Sequence, residues 1–405
     1  MESGFFLKPG SISLLKVDIL NAVNYCFWQK QGDKMKQLGF FLGFCVLLLF
    51  LPAACLADNA TGQPVSLSQA VQMAQQNNIN LIMAQNTNQQ AQKTYNYTSD
   101  NFSGFTPVTT GPSNPYVPNA GDVQSQINLM QSNYGWQESS KNLSYLKDAT
   151  TFQTMYDYFA VQDALEAESV AEKSQQQAQV AYNNTLALHA QGMATDAQLE
   201  AAKAALDGAN SGLANAKNDI DNAYTALNTL LGLDPHARPV LNTQVAYQKD
   251  DFFKAINQDA AVNRALANSP AVFQAQSNVS ITNQTRYYNQ VPDVGPLQYL
   301  QAQNAYNQAV QQVTQQTISA FLAIDNAEKG YAAAQKALTA AEMAYKNAQV
   351  NYRVGMATKQ DLLTAQLNQE QAGIKCAQAL HGIFDARGQL ALLMGVGAIL
   401  PANLS

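Results

Sequence analysis

The chain carries little charge: 13% of its 405 residues are Asp, Glu, Lys or Arg, and the net charge is −6. No basic patch of the kind that binds nucleic acid is present. Its three histidines, His189, His236 and His381, lie far apart without ligand spacing, so no metal site is expected. No Gly-rich phosphate loop, nucleophile elbow or paired catalytic carboxylate stands out, so the chain reads as a non-enzyme without a cofactor. Cysteines are few: Cys26, Cys45, Cys55 and Cys376. Proline is missing from Ala120 to Asp234 and again from Leu297 to Leu400. Nothing in either stretch forces a helix to break there.

What is present is a duplication. A block beginning Gly192-Met193-Ala194-Thr195 recurs at Gly355-Met356-Ala357-Thr358, and the register holds without a gap to Gly232 and Gly395. In the first copy Leu199, Ala202, Leu206, Ala209, Leu213, Ala216, Ile220, Ala223, Leu227 and Leu230 alternate at spacings of three and four. That is the heptad seam of a left-handed coiled coil, and a disordered polar chain would not keep it. Gly192 and Gly355 suit left-handed helix ends. Thr195 with Gln198, and Thr358 with Asp361, form capping boxes for the helices that follow. Each proline-free stretch therefore holds two long antiparallel helices joined at a tip. Faces off the seam are rich in Gln, Asn, Ala and Ser, so such helices must meet further helices or water. Oligomerisation follows as an expectation.

Near the N-terminus, Met35-Lys36 precedes an apolar run from Leu38 to Leu51 and the segment Pro52 to Ala57. A basic start, an apolar centre and small residues at the exit describe a signal peptide, too short for a comfortable span. Residues 1–57 are read as upstream leader and signal peptide. Cleavage after Ala57 would leave Cys376 as the one thiol, a small core residue on the seam and no part of a disulfide framework. The second reading of this site is lipidation at Cys55.

A weaker match sets Ala70-Val71-Gln72-Met73-Ala74 against Ala261-Val262-Asn263-Arg264-Ala265, at an offset of 191 rather than 163. The first half therefore spans 58–235, with an insert at 95–121 and a tip at 192–195. A linker with a short strand at Pro239–Tyr247 occupies 236–257. The second half spans 258–400, with a short interruption at 286–296, a tip at 355–358, and a tail at 401–405.

This duplicated order resembles the outer-membrane efflux proteins of the TolC type over about 58–400. The tip Tyr352-Arg353-Val354-Gly355 through Ala365, the endings Leu230-Leu231-Gly232 and Leu393-Met394-Gly395, and the opening Val65 to Ala74 carry the likeness. The resemblance implies a mainly α protein whose long coiled-coil hairpins form a trimeric α-barrel in the periplasm, continued by a β-barrel in the outer membrane. It implies a passive duct of a tripartite efflux or type I secretion system, docking a periplasmic adaptor and an inner-membrane pump. Adaptor docking falls on Gly192, Met193, Ala194, Thr195, Gly355, Met356, Ala357 and Thr358. Asp361 and Tyr352 are candidates for gating the entrance. The plainer readings come first: Asp361 as a capping carboxylate, Tyr352 as interhelical packing, and Asp196 as a helix-start charge. The family's ionic latch does not carry over, because Gln198, Ala357 and Thr364 stand at its positions. A membrane-spanning strand needs about 9–11 residues. The second interruption is too short for two of them, and prolines crowd the first insert, so the barrel portion is expected to be short, partial or absent. That weakness supports the alternative of a periplasmic or surface structural coiled-coil protein of the same fold.

Overall fold

The computed structural model describes residues 62–104, 107–108, 117–118, 120–247, 253, 255–286 and 293–397. The leader, the signal segment, Cys55 and residues 401–405 lie outside these residues. The first half runs β1 (Pro64–Val65), α1 (Leu67–Asn77), α2 (Ile79–Asp100), β2 (Pro107–Val108), β3 (Val117–Pro118), α3 (Ala120–Ala190) and α4 (Asp196–Leu231). The second runs β4 (Val240–Leu241), α5 (Gln258–Asn268), α6 (Pro270–Thr285), α7 (Val294–Arg353) and α8 (Lys359–Met394).

Each half opens on a helix that the sequence pattern shows as one piece and the structure shows as two. The breaks fall at Asn78 and Ser269, the residues matched by the 191 offset. Both are N-caps. The Asn78 side chain accepts from the Asn80 N–H at 2.9 Å, and Ser269 Oγ from the Val272 N–H at 3.3 Å. Local capping of this kind competes with continued helix, and Pro270 has no N–H to continue it.

The return helix of each half ends on the short helix. Gly232 and Gly395 sit at φ 72° and 60°, in the left-handed region, which glycine adopts without a Cβ penalty. Asn77 donates to Leu231 O at 2.6 Å, and Asn268 donates to Met394 O at 2.7 Å. A Cβ on either glycine would come within 2.8 Å of the asparagine Cβ. The duplication thus includes the joints as well as the helices.

With the tips taken as the lower end, the helices form a single layer. Below, the order is α4–α3–α8–α7; above, it is α2–α3–α6–α7. α3, of 71 residues, and α7, of 60, run through both levels; at 1.5 Å per residue they measure about 107 and 90 Å. In α4 all ten seam positions are buried or half-buried, while every other residue from Asp196 to Asp219 is exposed. α8 is covered on two sides, by α3 and α7, and more of its residues are shielded.

The apolar core is concentrated where the short helices meet the long ones. Leu67, Ala70 and Ala74 of α1 pack there with Tyr158 and Phe159 of α3, Leu227 and Leu231 of α4, and Phe384 of α8. A second cluster joins Ala261 of α5 to Ile324 of α7 and to Leu390 and Met394 of α8. β1 pairs in parallel with β4, Pro64 with Val240 and Val65 with Leu241. The strand is shorter than the Pro239–Tyr247 expected. Pro239 has no N–H, and the Thr243 N–H goes instead to the Tyr158 hydroxyl at 3.0 Å.

The insert is shorter than the interval 95–121. α2 continues to Asp100, with Tyr95 stacked on Trp136 of α3 at 5.2 Å between ring centroids, and α3 starts at Ala120. Between them β2 and β3 pair antiparallel over two residues each, Pro107 with Pro118 and Val108 with Val117. No helix of the described residues is long and apolar enough to cross a membrane. The fold is mainly α, built of duplicated long hairpins, and its strands among the described residues are two residues long.

Candidate docking tips and entrance

At the first tip α3 closes in a Schellman motif. The Met193 N–H donates to Leu188 O at 2.9 Å and the Gly192 N–H to His189 O at 2.9 Å. Gly192 takes φ 73°. The second tip repeats this: Met356 N–H to Asn351 O at 2.7 Å, Gly355 N–H to Tyr352 O at 3.1 Å, and Gly355 at φ 78°. These pairings satisfy carbonyls that a helix end otherwise leaves open. The turn that follows leaves the methionines in solvent, Met193 63% and Met356 82% exposed.

Both capping boxes are formed. Gln198 N–H donates to Thr195 Oγ1 at 3.3 Å, and Thr195 N–H returns to Gln198 Oε1 at 2.8 Å. At the second tip Asp361 N–H donates to Thr358 Oγ1 at 3.1 Å. The Asp361 carboxylate receives the Thr358 N–H at 2.8 Å and its hydroxyl at 2.7 Å. The N–H and then the hydroxyl of Thr358 hold the Asp361 carboxyl below its ordinary value, so it is ionised at neutral pH. The capping role of Asp361 is therefore present in the structure. Tyr352 stands in the last turn of α7 and is 43% exposed.

The tips differ in one pair. His189 Nε2 lies 2.7 Å from an Asp196 carboxylate oxygen, across the turn from the end of α3 to the start of α4. The matched positions of the second tip are Tyr352 and Lys359, which form no such pair. The signal was in the sequence: a His in the last turn of one helix and an Asp in the first turn of the next.

Sequence reading missed a cluster of titratable groups higher up, between α3 and α8. His381 Nδ1 lies 2.8 Å from an Asp163 oxygen, and its ring stacks on Phe159 at 4.3 Å and 2°. Asp385, one turn further along α8, has its Oδ1 buried with no hydrogen-bond partner. Burial pushes its carboxyl up to about 6, with His381 opposing and Asp163 reinforcing the rise. The Glu166 carboxyl is also raised, by burial and then by Asp163. Arg387 of α8 bridges to Glu328 of α7 at 2.9 Å. Cys376 is a half-buried free thiol on α8, pushed up by burial. Among the described residues no three His, Cys, Asp or Glu side chains converge as metal ligands.

Comparison with solved structures places this architecture. The Campylobacter jejuni CmeC outer membrane channel matches with a TM-score of 0.64 and 15% identity, over 82% of this chain and 86% of that one. The open state of the Neisseria gonorrhoeae MtrE outer membrane channel matches at 0.57 and 16% identity, over 81% and 88%. The chain has the fold of TolC-type outer-membrane channels. The outer membrane protein VceC of Vibrio cholerae shares this channel fold at 0.57 and 14% identity, over 82% and 96%. No protein-family model matches the sequence, and no curated protein matches it. The channel fold is thus kept at identities where sequence comparison alone is silent.

Proposed function

We propose that the chain is the outer-membrane component of a tripartite efflux or type I secretion system. Three copies form a passive duct, with the helical barrel in the periplasm. Its tips dock a periplasmic adaptor that couples it to an inner-membrane pump. One observation carries this reading. Two tips 163 residues apart share the same Schellman closure and the same capping box, and each presents an exposed methionine. A partner that contacts both halves of a protomer alike would select such duplicated ends. The faces off the α4 seam, polar and exposed along the helix, suit the wall of an assembly of several copies around water. The docking surface is Gly192 to Thr195 and Gly355 to Thr358. Tyr352 and Asp361, both exposed beside the second tip, are the residues proposed to narrow the entrance. The insert at 101–119 marks the end of the protomer that meets the outer membrane.

The second reading, a periplasmic or surface structural protein of the same fold, is favoured by the two-residue strands of the insert. Replacement of Gly355 separates the two. A Cβ there meets nothing within 4 Å, so the lesion is confined to the backbone. A β-branched residue at φ 78° costs about 1–2 kcal/mol and opens the turn. Gly355→Val is expected to lower export in living cells to the level of a deletion strain, with the native mass of the assembly unchanged. Wild-type export from an intact Gly355→Val assembly would count against docking through the tips, and wild-type export from the deletion strain itself would speak for the structural protein.

A further inference from the structure

The two tips share a backbone and carry opposite charge. Asp196 and Lys359 hold the same position of the duplicated block, the first residue of α4 and of α8. Within nine residues of Gly192 the acids are Asp196 and Glu200, and there is no Lys or Arg. Within nine residues of Gly355 stand Lys346, Arg353 and Lys359, against Asp361 as the one acid. All of these side chains are exposed. Asp361 is turned back onto its own cap, where it receives the Thr358 N–H and hydroxyl. Glu200, Lys346, Arg353 and Lys359 enter no ion pair among the described residues. His189 touches Asp196 yet leaves its side chain 95% exposed.

Helix stability does not account for this pattern. A helix start favours an acid, as at Asp196, and the cation at Lys359 runs against the dipole of α8. The tips are also fixed as neighbours. α3 lies on α8, and close above the turns Lys173 bridges to Glu370 while Gln177 donates to Thr364 Oγ1 at 2.6 Å. With helix axes about 10 Å apart, the two turns are centred about 20 Å from each other. Salt screens charges beyond about 8 Å, so a partner meets two separate fields of opposite sign. Met193 and Met356 give each field an apolar anchor of the same kind.

We propose that the partner docks with a dipolar end, basic over the first tip and acidic over the second, and that this charge order sets its register. This rests on the reading of the tips as docking surfaces and names the chemistry they take. Shape alone leaves the two seats equivalent, because the turns are alike. Complementary charge discriminates between otherwise equal seats.

The test is export by full-length variants in living cells, with native mass as the control for assembly. One variant reverses the first tip, Asp196→Lys with Glu200→Lys. Another reverses the second, Arg353→Glu with Lys359→Glu. Either leaves both tips with one sign and is expected to lower export about tenfold or more at unchanged native mass. The chain with all four substitutions is expected to recover most of the loss. Around a closed duct the tips alternate, so exchanging their charges restores the original order one tip further on. Simple damage at two helix ends would instead add. Should the first-tip reversal fail to assemble, the second carries the test, because its new acid at the start of α8 offsets the loss of Arg353 from the end of α7. Wild-type export from either reversal, or a fourfold variant no better than the worse reversal, overturns the charge register. Docking stands in that case if Gly355→Val still blocks export. Wild-type export from Gly355→Val removes both.

Discussion

Tyr158→Phe is expected to destabilise the chain by about 1–3 kcal/mol, although it removes a single oxygen atom. Tyr158 is fully buried in α3. Its hydroxyl donates to Val65 O at 2.9 Å and accepts from the Thr243 N–H at 3.0 Å. Phenylalanine keeps the ring packing and leaves the buried Thr243 N–H without its partner, a loss of about 1–3 kcal/mol, while Val65 O keeps the Asn242 N–H at 3.4 Å. The same two bonds fasten the start of the first half and the linker onto α3, beside the β1–β4 pair. Thr243 further receives the Leu67 N–H at 2.9 Å, on the first residue of α1. Chemical denaturation of the variant against the wild type measures the loss. Faster hydrogen exchange at the Thr243 amide would localise it. A change below about 0.5 kcal/mol, the range of ordinary surface substitutions, would show that this hydroxyl does not tie the joint.

The second large effect depends on pH. Asp385→Asn is expected to stabilise the protein near neutrality and to have little effect under acid conditions. The Asp385 carboxyl is raised from 3.8 to about 6 in the folded chain, so the folded state holds this proton more tightly than the unfolded state. Below about pH 4 the residue is neutral in both states and costs nothing. As pH rises from about 4 to 6 the unfolded chain loses the proton first, and stability falls. Above about 6 the full penalty of a buried charge is present. A carboxyl moved this far corresponds to about 3 kcal/mol, reduced to about 2 by water on its open side. The charged groups that act on it are His381 of α8 and Asp163 of α3, both of which asparagine leaves in place. The quantity to measure is the stability difference between variant and wild type at pH 4.0, 5.5 and 7.5. A difference that does not grow across that range would show that Asp385 is not held in a protonating environment.

Much of the helical architecture was legible in the sequence because a few residues carry it. The alternation of large and small seam residues from Leu199 to Leu230 marks α4 and the face it buries. Gly192 and Gly355 place the turns, and Thr195 and Thr358 place the helix starts, since left-handed φ and side-chain caps are local chemistry. The breaks at Asn78 and Ser269 were also local, but a cap inside an otherwise periodic run does not disturb the apolar spacing that reveals a helix. The acidic cluster was not legible. His381 and Asp163 are 218 residues apart and meet only because α8 lies on α3, an adjacency that no spacing within either helix encodes. The interval 95–121 overlaps two helices for a related reason. Tyr95 falls in that interval, yet it stacks on Trp136 of the neighbouring helix from within α2, which runs to Asp100.

On the proposed function, copies of this four-helix layer close around a hollow duct. End-on electron-microscope images of the detergent-purified mature protein test it most directly. Rings of threefold symmetry with an open centre are expected, each third contributing four helices at the tip end. Solid bundles without a lumen, or single rods the width of one layer, would contradict it.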